Sequence, residues 1–502
     1  MAEGVLRATA VTEHVADEWA TPVRPIRALL IQPPTEGCVQ SLLPQVAEKG
    51  EGIGYKPPLG ILYVASTVAD RTPHEVQVID AIAERLGFDE LVERARAFQP
   101  DVVGISAWTD WWWPAYETGR RIKEALPQVH LTYGGPHLGV YPQETLEVPF
   151  VDSVIVGDGE MPFLYLCNMV ANGSPSNALP GLHLSGHGVK TCNDTFFIQE
   201  DLDALPIPNR NLLKKELYGS VLSQAGSGEL VTTMITSRGC PYKCTFCKLN
   251  FQKTLSRSAA SVIEEFRQIQ ALGISEVEIY DDTFTWSKKR LEDICRGLIA
   301  EGIDVKWAVR DRVKNARAEL LELMYAAGCR RIHFGVESGS DPVLERMRKG
   351  ITSRDARRAI ELAKDAGMTV LAYFMFGNLG ETLEDMRRTI DFAVELDPHY
   401  AQFSITIPYA GTEMYKEGLA CGRIKSDYWG EYARNPVRDM KPRILEEVAD
   451  LETLVKIRND AVRAFYFRPR YLWREARRLT SVREVLNKAR MGGQLVQSVY
   501  TK

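Results

Sequence analysis

Short apolar runs alternate with amphipathic stretches over the first third of the chain. The runs are rich in branched residues and close on glycine or proline, which predicts buried strands, while the stretches between them have helical spacing. The predicted strands lie in residues 26–34, 75–81, 101–107, 130–136 and 153–160. Strands that alternate with helices of about ten residues predict an α/β, doubly wound, Rossmann-like domain. Ligands of such sheets bind at the carboxyl ends of the strands.

A second run of alternating segments begins at residue 230. Its predicted strands lie in residues 231–237, 276–282, 304–310, 331–337, 370–376 and 401–407. Six strand–helix units predict a partial (β/α)6 barrel that is open on one side. Catalytic groups of such barrels lie at the C-terminal ends of the strands.

Composition narrows the class of protein. The chain has 502 residues and a formal net charge of −5, so neither a nucleic acid nor an anionic membrane is an obligatory partner. No apolar run approaches the ~18 residues of a membrane span, and the N-terminus is too polar and acidic for a secretory signal. Apart from one group of three, the nine cysteines are scattered singly, unlike a disulfide framework. These features predict a cytoplasmic enzyme.

The grouped cysteines follow the first strand of the second run. Cys240, Cys244 and Cys247 have the spacing C-x3-C-x2-C, and thiolates favour iron–sulfur clusters, zinc or copper(I). A structural zinc site normally has four ligands, and no fourth Cys or His lies close in the sequence. Three cysteines on a [4Fe-4S] cluster leave one iron free for another ligand. The trio therefore predicts catalytic metal ligands on an open cluster, with a zinc knuckle as the alternative.

This motif resembles the signature of the radical S-adenosylmethionine (SAM) superfamily, which has an aromatic residue before the last cysteine. In that family the open iron chelates SAM. Polar groups end the later strands: carboxylates beside hydroxyls suit ribose, and an arginine fork suits the methionyl carboxylate. The segments VESGS and FGNLGET resemble the ribose-contacting and adenine-side motifs of the family. The expected SAM contacts are Phe246, Asp282, Arg310, Glu337, Ser338 and Gly377; helix capping or salt bridging is the alternative for each.

The loops of the first run resemble the cobalamin-binding domain that precedes many radical SAM enzymes. The resemblance rests on PPLG, GIS, GGPH and GDGE. It implies a cobalamin site formed by Ser106, Trp108, Gly134, Gly135, Pro136, Gly157, Gly159 and Glu160. The Asp-x-His-x-x-Gly motif that ligates cobalt in many such domains is absent, since His74, His130 and His137 have the wrong frame. We therefore expect cobalamin to bind without a histidine on cobalt.

The predicted division has five parts. These are a flexible arm (1–25), the cobalamin domain (26–200), a proline-rich linker (201–229), the barrel (230–420) and a helical C-terminal domain (421–502). Substrate contacts are expected from Trp112, in a tryptophan-rich loop, and from Tyr409, after the last strand; packing is the alternative for both. The basic surplus of the C-terminal part suits either a solvated helical face or an anionic partner.

The resemblance implies a cobalamin-dependent radical SAM enzyme with three cofactors: a [4Fe-4S] cluster, SAM and cobalamin. The leading prediction is methylation of an unactivated carbon in a small-molecule or natural-product intermediate, with electrons from an external flavodoxin or ferredoxin. An oxidative cyclase or ring-rearrangement enzyme uses the same motifs and stays open. A non-catalytic zinc or cobalamin sensor is the alternative of another class.

Overall fold

The computed structural model describes residues 7–8, 21–40, 55–173, 179–185, 195–219, 229–248, 253–445, 449–477 and 492–493. The chain forms two compact units. The first contains Met1–Gln40, Pro57–Leu217 and Asp427–Lys441, and the second contains Ser41–Lys56, Tyr218–Ser426 and Pro442–Lys502. Among the described residues, no helix is long and apolar enough to span a lipid bilayer.

The first unit contains a six-stranded sheet in the order β2-β1-β3-β4-β5-β6. Its strands are β1 (Arg27–Gln32), β2 (Glu75–Asp80), β3 (Val102–Ser106), β4 (His130–Gly134), β5 (Ser153–Ile155) and β6 (Leu182–Leu184). All neighbouring pairs are parallel except β5–β6. The parallel strands follow the 2-1-3-4-5 order of flavodoxin-like sheets, which have their ligand crevice where the strand order reverses, here between β1 and β3.

Helices cover both faces of this sheet, as predicted. They are α1 (Leu59–Arg71), α2 (Phe88–Phe98), α3 (Trp112–Ala125), α4 (Pro142–Leu146) and α5 (Glu160–Asn172). On one face Gly104 of β3 makes room for α5, since an added Cβ would lie 2.8 Å from the Phe163 ring. On the other face the Tyr133 hydroxyl of β4 donates to the Ala115 carbonyl of α3 at 3.0 Å.

The second unit contains a six-stranded, wholly parallel sheet in the order β12-β11-β10-β9-β8-β7. Its strands are β7 (Val231–Met234), β8 (Glu276–Ile279), β9 (Lys306–Asp311), β10 (Cys329–Glu337), β11 (Thr369–Phe376) and β12 (Tyr400–Ile405). The strands and their order agree with the predicted β/α units. Closure of the sheet into a partial barrel stays a prediction.

Helices of the second unit follow each strand. They are α6 (Ala259–Ala271), α7 (Lys288–Ala300), α8 (Ala318–Ala326), α9 (Asp341–Arg346), α10 (Ser353–Asp365), α11 (Leu383–Leu396) and α12 (Glu413–Ala420). Helices α6 to α11 connect consecutive strands, and α12 follows the last one. Capping boxes begin two of them, with Thr352 and Asp355 at α10 and Thr382 and Asp385 at α11. These reciprocal bonds satisfy amide groups that the first helical turn leaves without partners.

The two faces of the second sheet differ in chemistry. Val277, Ile279, Val309 and Ile332 belong to the buried apolar cluster that includes the helices. Side chains alternate along a strand, so the intervening residues lie on the opposite face. This polar face consists of Glu276, Glu278, Tyr280, Arg310, Arg331, His333 and Tyr373.

The C-terminal residues divide between the units. Helix α13 (Tyr428–Arg434) belongs to the first unit, while α14 (Leu451–Tyr466) and α15 (Pro469–Arg477) belong to the second. The structure thus differs from a single C-terminal domain over residues 421–502, because contacts rather than chain order define the units. Residues 478–491 and 494–502 of the predicted C-terminal domain lie outside the described residues.

Candidate functional site

The cysteine loop begins directly after β7. Cys240 is buried, Cys244 is half-buried and Cys247 is exposed. Loss of contact with water, followed by the nearby Cys244, Asp282 and Cys240, raises the pKa of the Cys247 thiol to about 11. The residue as a whole is exposed, so this loss of water is confined to the sulfur side of the residue. The loop therefore gathers three thiols and one carboxylate in a single place.

Two adjacent aspartates after β8 hold the start of this loop. Asp281 accepts hydrogen bonds from the Thr236 amide at 2.6 Å, the Thr236 hydroxyl at 2.5 Å and the Ser237 hydroxyl at 2.6 Å. Asp282 accepts from the Gly239 amide at 3.0 Å. Asp282, predicted to contact SAM, thus also positions the residue before Cys240.

Backbone bonds hold the other end of the loop. The Thr245 amide donates to the Met347 carbonyl at 3.0 Å, and the Met414 amide donates to the Thr245 carbonyl at 2.8 Å. The neighbouring Phe246 ring lies 5.5 Å from the Lys349 ammonium group, a cation–π distance. The cysteines are therefore fixed from both sides by chain that is distant in sequence.

Arg312 contacts the loop, although the sequence did not single it out. Its Nη1 lies 3.5 Å from Cys244 Sγ, and its guanidinium carbon lies 3.7 Å from the centre of the Tyr242 ring. Nη2 also donates to the Lys349 carbonyl. The available signal was its position on the exit of β9, two residues beyond Arg310. No sequence pattern indicated Lys349, which follows α9.

The donor set fits an open iron–sulfur cluster. No group of three or more His, Cys, Asp or Glu side chains in the described part of the chain is arranged around a single ion position. Ligands of one zinc ion converge on a point, whereas each cysteine of a four-iron cluster binds a different iron. Three thiols with a cation beside one of them suit the cluster, whose net charge is negative when thiolates bind it.

Glu337 ends β10 in the left-handed region, with φ of 66°. Its Oε1 accepts from Lys349 Nζ at 2.6 Å, and both side chains are buried. A non-glycine residue in this conformation is uncommon and marks a position that the surrounding structure enforces. Gly335 makes room for the pair, since an added Cβ would lie 2.4 Å from Glu337 Oε1. This ion pair lies beside Phe246, and the SAM contact predicted for Glu337 stays a prediction.

Ser338 and Gly377 have structural partners. The Ser338 hydroxyl accepts from the Ser340 amide at 3.1 Å and bonds the Thr389 hydroxyl at 3.1 Å. It has no exposed surface and shapes the turn after β10; its predicted SAM contact stays a prediction. Gly377 has φ of 84°, and its amide donates to Glu381 Oε2 at 2.8 Å. Its predicted SAM contact stays a prediction.

Arg310 lies on the polar face rather than beside the cysteines. Its guanidinium carbon is 3.9 Å from the centre of the Tyr280 ring, and its Nη2 is 3.9 Å from Glu278 Oε2. No contact joins it to the cysteine loop among the described residues. The SAM contact predicted for it therefore has no support from this arrangement.

The predicted cobalamin loops meet at the carboxyl edge of the first sheet. Ser106 and Gly134 are register partners at the ends of β3 and β4, and Gly135 and Pro136 after them are exposed. Gly135 has φ of 105°, and an added Cβ would lie 2.8 Å from the Ala107 carbonyl oxygen. Its missing side chain thus admits the neighbouring loop. This edge lies beside the β1/β3 reversal, so it fits a flat cofactor.

The third predicted loop is at the same edge, after β5. Gly157 has φ of 98°, and an added Cβ would lie 2.1 Å from the Phe197 carbonyl oxygen. Gly159 precedes α5 and Glu160 begins it. Glu160 is buried. Gly157 therefore serves close packing of two chain segments, while Gly159 and Glu160 remain predicted cobalamin contacts.

The tryptophan loop separates into exposed and buried residues. Trp108 is 48% exposed at the end of β3 and stays a predicted cobalamin contact. Trp112 has no exposed surface; its indole N–H donates to the Ala433 carbonyl at 3.0 Å, and its ring stacks on His137 at 4.4 Å. This arrangement favours the packing alternative for Trp112, and its predicted substrate contact stays a prediction. Tyr409 in the second unit is 40% exposed and stays a predicted substrate contact.

Of the three histidines in the first unit that were considered as cobalt ligands, two have hydrogen-bond partners at Nε2 and the third has a fully buried ring. His74 Nε2 bonds Asn168 Oδ1 at 2.9 Å, and His130 Nε2 bonds the Ser153 hydroxyl at 2.8 Å. Burial lowers the pKa of His137 to about 3, and its ring has no exposed surface. Cobalamin binding without a histidine on cobalt stays a prediction.

Two family models match the chain. Residues 53–166 match the B12 binding domain, and residues 234–393 match the Radical SAM superfamily. A Pyrococcus horikoshii protein named as an uncharacterised methyltransferase is 34% identical over 453 residues, which cover 89% of this chain and 94% of that protein. The anaerobic magnesium-protoporphyrin IX monomethyl ester cyclase of Rubrivivax gelatinosus is 27% identical over 374 residues, covering 72% of this chain and 66% of that protein.

Two solved structures share the fold. OxsB, a cobalamin-dependent SAM radical enzyme solved with aqua-cobalamin and SAM, has a TM-score of 0.72 at 16% identity and covers 97% of this chain and 73% of its own. TsrM, a radical SAM methyltransferase from Kitasatospora setae, has a TM-score of 0.62 at 18% identity. The match covers 79% of this chain and 77% of the TsrM chain.

Together the two domain matches, the cysteine loop and the long relative establish the cofactors, which are a [4Fe-4S] cluster, SAM and cobalamin. The chain belongs to the cobalamin-dependent radical SAM enzymes.

Proposed function

We propose that this enzyme transfers a methyl group to an unactivated carbon of a small-molecule intermediate. The observation that carries the proposal is the similarity to the Pyrococcus horikoshii protein named as a methyltransferase, which extends over nearly the whole of both chains. Similarity of that extent includes both cofactor domains and the connection between them. The chain also shares its fold with TsrM, which is named as a methyltransferase, and this supports methyl transfer.

The residues of the second unit would prepare the radical step. When bound, the cluster and SAM supply a 5′-deoxyadenosyl radical, and cobalamin supplies the methyl group. Cys240, Cys244 and Cys247 would hold the cluster, and Asp281 and Asp282 would fix their loop. Phe246 and the Glu337–Lys349 pair would meet SAM.

The first unit would hold cobalamin at the carboxyl edge of its sheet. The backbone at Ser106, Gly134 and Gly135 would approach the cofactor, and Trp108 would cover it. We assign Pro136, Gly159 and Glu160 to the same edge. The five-part division of the chain, with a linker over residues 201–229, is part of this proposal.

Three further features complete the proposal. A flavodoxin- or ferredoxin-type donor would supply the electron, and Tyr409, which is partly exposed after β12, would contact the substrate. The eight cysteines in the described residues are free thiols, which suits a reducing compartment such as the cytoplasm.

The test is product analysis after anaerobic reconstitution with iron, sulfide and cobalamin. The enzyme is incubated with dithionite, a fractionated metabolite extract and SAM bearing a trideuterated methyl group. Methyl transfer predicts S-adenosylhomocysteine, 5′-deoxyadenosine and one metabolite in which CD3 replaces a hydrogen. Formation of 5′-deoxyadenosine without a deuterated product would contradict it. A variant with Cys240, Cys244 and Cys247 replaced by alanine is the control and should yield none of the three.

The named cyclase of Rubrivivax gelatinosus favours a second candidate, oxidative ring closure. That reaction would give a product that has lost hydrogen and carries no label. The same incubation therefore separates the two reactions by the mass of the product.

A further inference from the structure

The polar face of the second sheet carries an unusual density of buried charge. Glu276 and Glu278 of β8 and Arg331 of β10 are all buried. Arg331 Nη2 lies 3.2 Å from Glu276 Oε1 and 2.8 Å from Glu278 Oε1. Charged side chains are rarely buried unless they are paired, and a buried ion pair contributes little to stability relative to apolar packing. Such a cluster on one face of a catalytic sheet therefore points to a role in binding.

Glu278 already has close partners other than Arg310. Lys56 Nζ lies 3.1 Å from its Oε1, and the Tyr280 hydroxyl donates to its Oε2 at 3.3 Å. Burial alone would raise the pKa of Glu278, but Lys56, Arg331 and Arg310 outweigh it and lower the pKa to about 2. Glu278 is thus ionised at every working pH.

Arg310, by contrast, has no carboxylate at hydrogen-bond distance within the described residues. Its nearest one, Glu278 Oε2, is 3.9 Å from Nη2. A guanidinium with in-plane donors normally binds a carboxylate or phosphate through two parallel bonds. The close polar neighbours of Arg310 are the hydroxyl groups of Tyr280 and Tyr373, which are neutral, so among the described residues the guanidinium has no carboxylate at bonding distance and can accept an anionic ligand.

The surroundings of Arg310 leave part of its side chain exposed. The guanidinium stacks on Tyr280 at 3.9 Å from the ring centre, and stacking occupies the face of the group rather than its edge. The Arg310 side chain is 32% exposed, and Tyr280 is 37% exposed. A planar ligand can reach both groups from the same side.

Positive charge exceeds negative charge on this face. The cations are Lys56, Arg310 and Arg331, and the anions are Glu276 and Glu278. His333 adds no charge, because burial and then Arg331 and Arg310 lower its pKa well below the ordinary value. A fourth cation of this face, Lys306, pairs with Asp304 at 2.6 Å, and among the described cations of the face Arg310 has the longest ion pair, 3.9 Å to Glu278.

Arg310 also lies deeper in the sheet than the cysteine loop. Arg312, which contacts Cys244, comes directly after β9 and two residues after Arg310. Two residues of extended chain span about 6–7 Å. The register partner of Arg310 on β10 is His333, four residues before Glu337. A ligand on Arg310 would therefore lie below the level of the cluster and of the proposed SAM contacts.

We propose that Arg310, stacked on Tyr280 and flanked by Lys56, binds a carboxylate or phosphoryl group of the substrate on the polar face. The proposal rests on the proposed function and deepens it, since it assigns the substrate to the anionic small molecules. Glu278 and Arg331 are positioning residues that hold Lys56 and the strand. SAM also has a carboxylate, and the experiment separates the two sources.

The experiment uses the reconstituted holoenzyme with SAM bound and para-bromobenzoate as the probe. Crystals are soaked with the probe, and the bromine is located by anomalous scattering. The expected result is a carboxylate within hydrogen-bond distance of Arg310. Calorimetric titration should show binding of para-bromobenzoate, of inorganic phosphate, or of both, and no binding of para-bromobenzyl alcohol. The identity of the oxyanion that binds tells which group the site prefers.

Arg310→Gln should weaken binding about 10–100-fold, the loss expected for a charge-assisted hydrogen bond. Arg357→Gln, which removes a half-exposed arginine paired with Glu395, is the matched control and should bind as the wild type does. If Arg310→Gln has a lower Tm than the wild type, Arg310→Lys replaces it in the test. The lysine keeps the positive charge but lacks the two parallel donors of the guanidinium, so this variant should bind the oxyanion about tenfold more weakly.

Three results would overturn the inference: neither para-bromobenzoate nor inorganic phosphate bound on the polar face, binding that survives Arg310→Gln, or the SAM carboxylate itself bound to Arg310. Reductive cleavage of SAM is measured on the same preparations. A wild-type enzyme that binds the oxyanion but cleaves no SAM would refute the proposed function alone. An enzyme that cleaves SAM but binds no oxyanion would refute only the assignment of Arg310.

Discussion

Asp281 is the residue whose loss should disturb the cysteine loop most. It is 1% exposed and accepts three hydrogen bonds, from the Thr236 amide, the Thr236 hydroxyl and the Ser237 hydroxyl. All three donors lie in the segment that connects β7 to Cys240. Asp281→Ala removes every acceptor at once. Asp281→Asn keeps the acceptor for the amide and loses the charge.

The magnitude follows from these bonds. A hydrogen bond to a charged group contributes about 1.5–3 kcal/mol, and water that enters the vacated space restores part of it. We expect Asp281→Ala to cost about 3–5 kcal/mol, near the upper end for single substitutions, and Asp281→Asn about 1–3 kcal/mol. For a domain of this size the larger loss lowers Tm by on the order of 10 °C.

The assay combines a thermal melt with iron and sulfide content after anaerobic reconstitution. Both variants should bind less iron than the wild type, with Asp281→Ala lower than Asp281→Asn. Asp293→Ala is the control, because Asp293 is 47% exposed and pairs only with the surface Lys289 on α7; it should change neither quantity. Wild-type Tm and iron content in Asp281→Ala would refute the claim that this carboxylate holds the loop.

Three further substitutions test neighbouring parts of the second unit. Burial raises the pKa of Glu381 to about 7, so the stability that its protonated form provides is present below the ordinary pKa and is lost as pH rises through about 7. Glu381→Gln stays neutral, and thermal melts should therefore show a Tm that rises relative to the wild type between about pH 5 and 8. The expected difference in the free energy of unfolding is on the order of 3 kcal/mol. Gly335→Ala would place a Cβ 2.7 Å from Lys349 Nζ, and equilibrium dialysis should show weaker SAM binding; unchanged affinity would exclude that ion pair from the SAM site. Arg312→Leu removes the cation 3.5 Å from Cys244 Sγ and should lower the cluster's reduction potential in an EPR-monitored titration; an unchanged potential would contradict it.

The strands and the cysteine loop could be predicted because their signals are local. Apolar runs such as residues 101–107 predict a buried strand, and the spacing of Cys240, Cys244 and Cys247 predicts the cluster ligands. The division of the C-terminal residues could not be predicted in this way. Helix α13 belongs to the first unit because Ala433 accepts from Trp112, which lies more than three hundred residues earlier in the chain.

The individual site residues were harder to predict than the fold for the same reason. Ser338 follows β10 as a SAM contact would, but its hydroxyl is committed to Thr389 on α11. Trp112 lies in a loop at the ligand edge, but its ring is turned into the interior against His137. A position at the end of a strand can be seen in the sequence. The direction of the side chain depends on elements distant in the chain.

The end of strand β9 shows both what the sequence could predict and what it could not. Arg310 and Arg312 are two residues apart, so the alternation of the strand puts both on the polar face. The sequence could show that an arginine ends the strand, but not which of the two reaches the cysteines. The structure puts Arg312 at Cys244 and leaves Arg310 one step deeper, on Tyr280. A shift of one residue in the β9–β10 register would move both arginines into the apolar face, where neither charge has a partner. The pairing of Arg310 with His333 therefore keeps one cation beside Cys244 and a second one step deeper on the polar face, which is the arrangement that the proposed substrate anion would need.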